Sequence, residues 1–128
     1  MAKLEQFTLS DTWKDWEITL EVDREILTKQ LATDINDFWT GSEDRLLDAD
    51  GDVVRAVVRS AARSLIYLML EDGGAVSSSP FQAALWTKQL HDLEGWGGIV
   101  EGAPFGNCGI RLVRADVEVD LDLEFKGA

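Results

Sequence analysis

The hydrophobic period of this chain switches twice, from two to about 3.6 and back to two, and that leaves few architectures open. Between Trp16 and Val22 the residues Trp16, Ile18, Leu20 and Val22 alternate with Glu17, Thr19 and Glu21, as a strand with one face in a core requires. Phe7 and Leu9 alternate with polar neighbours upstream, and the turn-forming SDTWKD separates the two runs, so the N-terminal segment reads as a β-hairpin. From Thr28 the spacing becomes helical: Leu31, Ile35, Phe38 and Trp39 form one stripe, with Thr28 as N-cap and Gly41 as the stop. Ser42 is placed to cap a short second helix carrying Leu46 and Leu47. The segment from Val53 to Glu71 is the most strongly helical, with Val54, Val57, Val58, Ala61, Leu65 and Leu68 on its core side. GGAVSSSP reads as a loop, after which Ser79 as cap and Pro80 at the first helical position open a helix over about Phe81 to Leu93.

Period two returns at the C-terminus. Val117, Val119, Leu121, Leu123 and Phe125 alternate with Glu118, Asp120, Asp122 and Glu124, whereas Ile110 and Leu112 lie on the opposite parity. A bulge or turn near Arg114-Ala115-Asp116 therefore has to reset the face. The expected fold is α+β: an antiparallel sheet made of the N-terminal hairpin and the acidic C-terminal strand, with three to four helices packed on one face. With 128 residues, 45% of them apolar, the chain has the size of one domain, residues 1–128.

Charge narrows the partners. The chain has 24 Asp and Glu against 12 Lys and Arg, a formal net charge of −12, so nucleic acid and anionic membrane are repelled over most approach directions and a basic partner is favoured. The one cysteine, Cys108, forms no internal disulfide. The N-terminal MAKLEQFTLS lacks a basic region followed by an apolar run, and the apolar stretch from Ala61 to Leu70 is interrupted by Arg63 and Ser64. These features lead to the expectation of a cytoplasmic protein with no membrane partner and no direct nucleic-acid partner.

No motif in the chain points to catalysis, a cofactor or a metal. In DADGD, placing Asp48 at the first position of a calcium loop puts Val53 at the sixth and Arg59 at the twelfth. Placing Gly51 at the sixth puts Leu46 first and Val57 twelfth, so neither register supplies the oxygens or the closing glutamate. The favoured reading is that Asp50 or Asp52 caps the following helix while Gly51 makes the turn, a weak cation site being the alternative. His91 and Cys108 stand in no nucleophile–base motif, and together they are too few for a zinc site. The six glycines from Gly95 to Gly109 form neither a P-loop nor a complete GxGxxG, so that segment reads as an adaptable surface loop. Within it Trp96 is either a plug for the core or an exposed partner-binding anchor. Arg55, Arg59 and Arg63 share one helix face, and the expectation is that they pair with carboxylates of a neighbouring element such as Asp34 or Asp37, an anion-facing strip being the alternative.

The acidic strand carries a measurable penalty. Carboxylates two residues apart stand roughly 7 Å apart and repel by about 0.6 kcal/mol in water, so three such pairs cost about 1–2 kcal/mol. Glu118, Asp120, Asp122 and Glu124, with Glu17 and Glu21 on the same sheet, are therefore candidate partner-binding residues on a face built for a basic groove. Edge protection and solubility are the competing explanation.

The runs SDTWKDWEITLEVD, INDFWTGSEDRLLDADGDVVRAVVRSAA and GIRLVRADVEV resemble a family of small uncharacterised proteins of bacteriophages and prophages, a domain of unknown function. The resemblance carries no catalytic residues and implies an accessory role in a bacterial host. Combined with the charge, it leads to the expectation of a non-enzymatic, DNA-mimicking inhibitor of anti-CRISPR or similar anti-defence type, whose partner is a basic protein or nucleoprotein complex of the host. The alternatives are a small ligand-binding or enzymatic domain using the Arg55, Arg59, Arg63 strip with His91, or a phage structural or assembly protein.

Overall fold

A computed structural model of the chain describes residues 3–119 and 125–127. The elements in order are β1 (Leu4–Ser10), β2 (Glu17–Asp23), α1 (Lys29–Phe38), α2 (Ser42–Asp48), α3 (Val53–Glu71), β3 (Ala75–Ser77), α4 (Pro80–Asp92) and β4 (Ile110–Val117). The strands form one antiparallel sheet in the order β1-β2-β4-β3. The fold is α+β, and none of the helices among the described residues is long and apolar enough to cross a membrane.

Strand β2 is central because its alternation is complete. Ile18, Leu20 and Val22 are all fully buried and meet Ala32 and Ile35 of α1, Val54, Val57, Val58, Ala61, Leu65 and Met69 of α3, and Leu90 of α4. Each such side chain contributes roughly 1.5–3 kcal/mol by leaving water. In β4 the parity conflict is resolved by a bulge. Thr19 faces Arg114 but Leu20 faces Leu112, so Val113 is the extra residue, and Ile110, Leu112, Ala115 and Val117 all reach the core. The break falls one residue ahead of the segment where the sequence places it.

Three boundaries differ from the sequence reading. Ala75–Ser77, within the stretch read as a loop, forms β3 against Ala115–Val117. The approach is close enough that a Cβ on Gly74 would stand 2.7 Å from the Val117 carbonyl oxygen. Gly41 does not stop α1. That helix ends at Phe38, and Gly41, at φ 88°, is instead the N-cap of α2, a role the sequence reading gave to Ser42. Arg45 closes the α1–α2 junction by donating to Asn36 Oδ1 and to the carbonyls of Asn36, Trp39 and Thr40 at 2.7–2.9 Å, which satisfies the acceptors left at the end of α1.

The third difference is the C-terminal strand. β4 ends at Val117; Val119 is half-exposed and Phe125 fully exposed, so these two do not pack inward as their alternation suggests. The ladder ends there for lack of neighbours, since the β2 pairing stops at Glu17–Asp116 and the β3 pairing at Ala75–Val117. Asp120, Leu121, Asp122, Leu123 and Glu124, on which the rest of that expectation falls, lie outside the described residues.

Below β3 the edge of β4 is open to α4, and two side chains one helical turn apart complete it. Thr87 Oγ1 accepts the Leu112 N–H at 2.9 Å, and His91 Nε2 lies 2.8 Å from the Ile110 carbonyl oxygen. The carbonyl makes Nε2 the protonated nitrogen. Helix α4 thus stands in for a strand where the short β3 runs out.

Candidate functional site

The β1–β2 turn presents a largely exposed aromatic side chain, Trp13. Asp11 Oδ1 accepts the backbone N–H groups of Trp13 (2.7 Å) and Lys14 (3.1 Å), a side-chain-closed turn of the kind Asp favours. This turn lifts Trp13 to 90% exposure. Asp15, at φ 56°, leads into β2, where Glu17 lies directly opposite Asp116 of β4. Trp16 Nε1 donates to the Glu118 carbonyl at 2.9 Å and ties the chain leaving β4 to the same end of the sheet. Asp11, Asp15, Glu17, Asp116 and Glu118 therefore lie at the same end of the sheet as Trp13, with Lys14 as the base of the turn. None of these five carboxylates is in an ion pair among the described residues. Like charges directly opposite on adjacent strands have Cβ atoms about 5 Å apart and repel by about 0.8 kcal/mol in water.

Glu21 has a different place. It is 8% exposed, accepts from Arg111, its cross-strand partner, through Nε (2.8 Å) and Nη2, and is approached by Gln6 Nε2 at 3.4 Å. Arg111 also stacks over the Phe105 ring at 5.1 Å. Glu21 is thus a neutralised cross-strand carboxylate and not part of a free acidic face. Of the six acids assigned from the sequence, Glu17 and Glu118 are exposed at the hairpin end, Glu21 is paired, and Asp120, Asp122 and Glu124 fall outside the described residues.

Trp96 is in the core and not at the surface. It is 1% exposed, with its ring 5.3 Å from that of Trp39, and a Cβ on Gly95 would come within 2.6 Å of Trp39. The exposed tryptophan is Trp13, which the sequence reading passed over. Its signal was its position: it sits in a polar turn between two alternating strands, where a side chain has no core to reach.

His91 and Cys108 converge on one atom. Cys108 Sγ lies 3.9 Å from the Ile110 carbonyl that His91 Nε2 engages, and 3.8 Å from that of Phe105. Burial pushes the Cys108 thiol up to about 11, with backbone hydrogen bonding pulling weakly the other way. A thiol held protonated beside a histidine committed to a structural bond is poorly disposed for nucleophilic attack. The cleft bounded by α4, residues 99–104 and β4 has a volume of about 370 Å³, and Lys88, Glu101 and Arg111 supply its charges. Most of its lining residues, among them Pro80, Ala83, Ile99, Val100 and Leu112, are apolar. Its strongest cation is already engaged by Glu21.

Arg55 stands 6.0 Å from the Phe7 ring, Arg59 Nη1 donates to the Asp48 carbonyl at 3.2 Å, and none of Arg55, Arg59 and Arg63 makes an ion pair among the described residues. The expected pairing with Asp34 or Asp37 is not made; the Asp34 carboxylate accepts from Gln30 instead. In DADGD, Asp52 caps α3 by accepting the Arg55 N–H at 3.1 Å, while Asp50 (φ 55°) and Gly51 (φ 82°) turn the chain. Among the described residues no cluster of three or more His, Cys, Asp or Glu is arranged to hold a metal ion.

The fold and its surfaces define a small acidic α+β protein with one aromatic, carboxylate-rich end. The chain belongs to a family of proteins of unknown function, DUF2528, which matches residues 17–124. No curated protein and no solved structure matches it.

Proposed function

We propose that the protein acts by binding, not by catalysis, and that the β1–β2 end of the sheet is the surface that engages a basic partner. The observation that carries this reading is Trp13, almost fully exposed at the end of the sheet that also carries Asp11, Asp15, Glu17, Asp116 and Glu118. A tryptophan face attracts Lys or Arg through its quadrupole, and surrounding carboxylates steer and hold the same cations. Tryptophan is also the side chain that most often dominates interface energies.

The finer reading is that carboxylates here take the place of nucleic-acid phosphates in a basic groove of a host protein or nucleoprotein complex, as a phage-borne anti-defence inhibitor in the bacterial cytoplasm does. The chain's net charge of −12 supports it. The test compares immobilised wild type with Trp13→Ala and with the Glu17→Gln, Asp116→Asn, Glu118→Gln triple variant in capture from bacterial lysate. Under this reading basic proteins bind wild type, are released by duplex DNA and by salt, and are lost from both variants. Capture that is unchanged in both variants overturns it.

A further inference from the structure

Among the described residues, strand β1 pairs on one side only. The bonds from Asp11 N–H to the Trp16 carbonyl and from Arg24 N–H to the Lys3 carbonyl fix the ladder phase: odd-numbered residues of β1 bond to β2. In an antiparallel pair the intervening residues direct both backbone groups the other way. Leu4, Gln6, Thr8 and Ser10 therefore offer N–H and C=O groups to an open edge.

That edge is flanked by the arginine strip. One groove is lined by Phe7, Thr8 and Leu9 together with Arg55 and Arg59, and the next by Leu9, Ser10 and Asp11 together with Arg59 and Arg63. Helix α3 therefore runs alongside β1, and its three guanidinium groups follow the edge in order. Four residues of helix rise about 6 Å, and alternate residues of a strand repeat at about 6.6–6.8 Å, so the two rows stay nearly in step over three positions.

From these two observations we infer that the β1 edge is a strand-addition site for an extended segment of a partner protein carrying carboxylates at alternate positions. The segment's backbone pairs with Leu4, Gln6, Thr8 and Ser10, and its carboxylates on the helix side meet Arg55, Arg59 and Arg63. Asp11, Asp48 and Asp50 line the same grooves. Two of these three stand in the groove shared by Arg55 and Arg59, and Arg55 already lies over Phe7. The Arg59–Arg63 half is therefore the stronger anchor. Strand addition draws affinity from main-chain bonds and selectivity from alternate side chains, which separates it from general attraction between charges.

The experiment uses the full chain and three fluorescein-labelled nonapeptides in fluorescence anisotropy. One alternates Asp with Thr, one has the same composition with the aspartates contiguous, and one alternates but carries N-methyl groups on every second backbone nitrogen of the pairing edge. The alternating peptide is expected to bind at least 10-fold more tightly than the other two. The Arg59→Gln, Arg63→Gln variant should weaken it at least 10-fold and Arg55→Gln less, while circular dichroism shows the native fold in each. Hydrogen exchange should slow at the amides of Gln6, Thr8 and Ser10 in the complex. Equal binding of the N-methylated peptide, indifference to both arginine variants, no protection of those amides, or no binding of the alternating peptide each overturns the inference.

Discussion

Replacing Trp96 by Ala tests whether the core of this protein is built as described. Trp96 is the largest fully buried side chain, set between Trp39 and the core, with Gly95 too tightly packed against Trp39 and Phe38 to carry a Cβ. A buried tryptophan removes on the order of 250 Å² from water, which at about 25 cal/mol per Å² gives an upper figure near 6 kcal/mol. The unfolded chain already hides part of that area, and large-to-small core substitutions of aromatic residues cost about 3–5 kcal/mol, so roughly 4 kcal/mol is expected. Against a total of about 5–15 kcal/mol for an ordinary domain, that is a large share.

The assay is equilibrium urea unfolding followed by far-ultraviolet circular dichroism, because tryptophan fluorescence changes with the substitution itself. Trp96→Phe should recover most of the loss, and Trp13→Ala, which empties no cavity, should change stability by less than about 0.5 kcal/mol. A loss below about 1 kcal/mol for Trp96→Ala, with the native spectrum retained, refutes the placement of this side chain and with it the packing of the glycine-rich segment.

The Cys108 thiol, at about 11, should react with iodoacetamide at pH 8 on the order of 100-fold more slowly in the native protein than in urea. Because its folded value lies above its unfolded one of 9.0, its contribution to stability is complete below about pH 9 and is lost as pH rises towards 11. Wild type should therefore lose up to about 3 kcal/mol over that window relative to Cys108→Ala, measured by urea unfolding at stepped pH. Asp52→Ala should cost about 1 kcal/mol through the lost N-cap of α3, whereas Asp50→Gly should be neutral or stabilising, since Asp50 holds a left-handed conformation that glycine adopts freely; thermal unfolding reads both.

Much of the fold was legible because local signals and burial agree. Thr28, Asp52 and Ser79 cap their helices as their side-chain chemistry and position suggest, and α3 runs from Val53 to Glu71 because its apolar stripe has no break. The β4 bulge was readable from the clash between the parity of Ile110 and Leu112 and that of Val117. What escaped the sequence depends on contacts between distant segments. β3 is three residues long, too short to show a period, and exists only because the Ala115–Val117 edge accepts it. Alternation suggested that the strand runs on through Val119, but alternation specifies a face and cannot supply a neighbour. Glu21 looked equivalent to Glu17, yet one lies opposite Arg111 and the other opposite Asp116, a difference set by the β2–β4 register across some ninety positions of chain.

That register separates two uses of charge. Where a carboxylate is enclosed, as at Glu21, the structure gives it a cross-strand guanidinium and an aromatic ring behind that guanidinium, as burial demands. At the surface, stability rewards pairing by at most about 1 kcal/mol, so it neither forbids nor explains the unpaired groups there. Solubility explains only part of them. Net negative charge keeps a protein dispersed, yet Arg55, Arg59 and Arg63 reduce that charge, and Glu17 opposite Asp116 sets repulsion where threonine would not. The carboxylates without an ion pair among the described residues share the sheet end with the exposed Trp13, and the arginines without one follow the open edge of β1. Each group is thus found beside a second feature suited to contact, an aromatic face in one case and free backbone donors and acceptors in the other. A dispersing charge pattern has no need of that coincidence. The two proposed docking surfaces, opposite in sign, account for it.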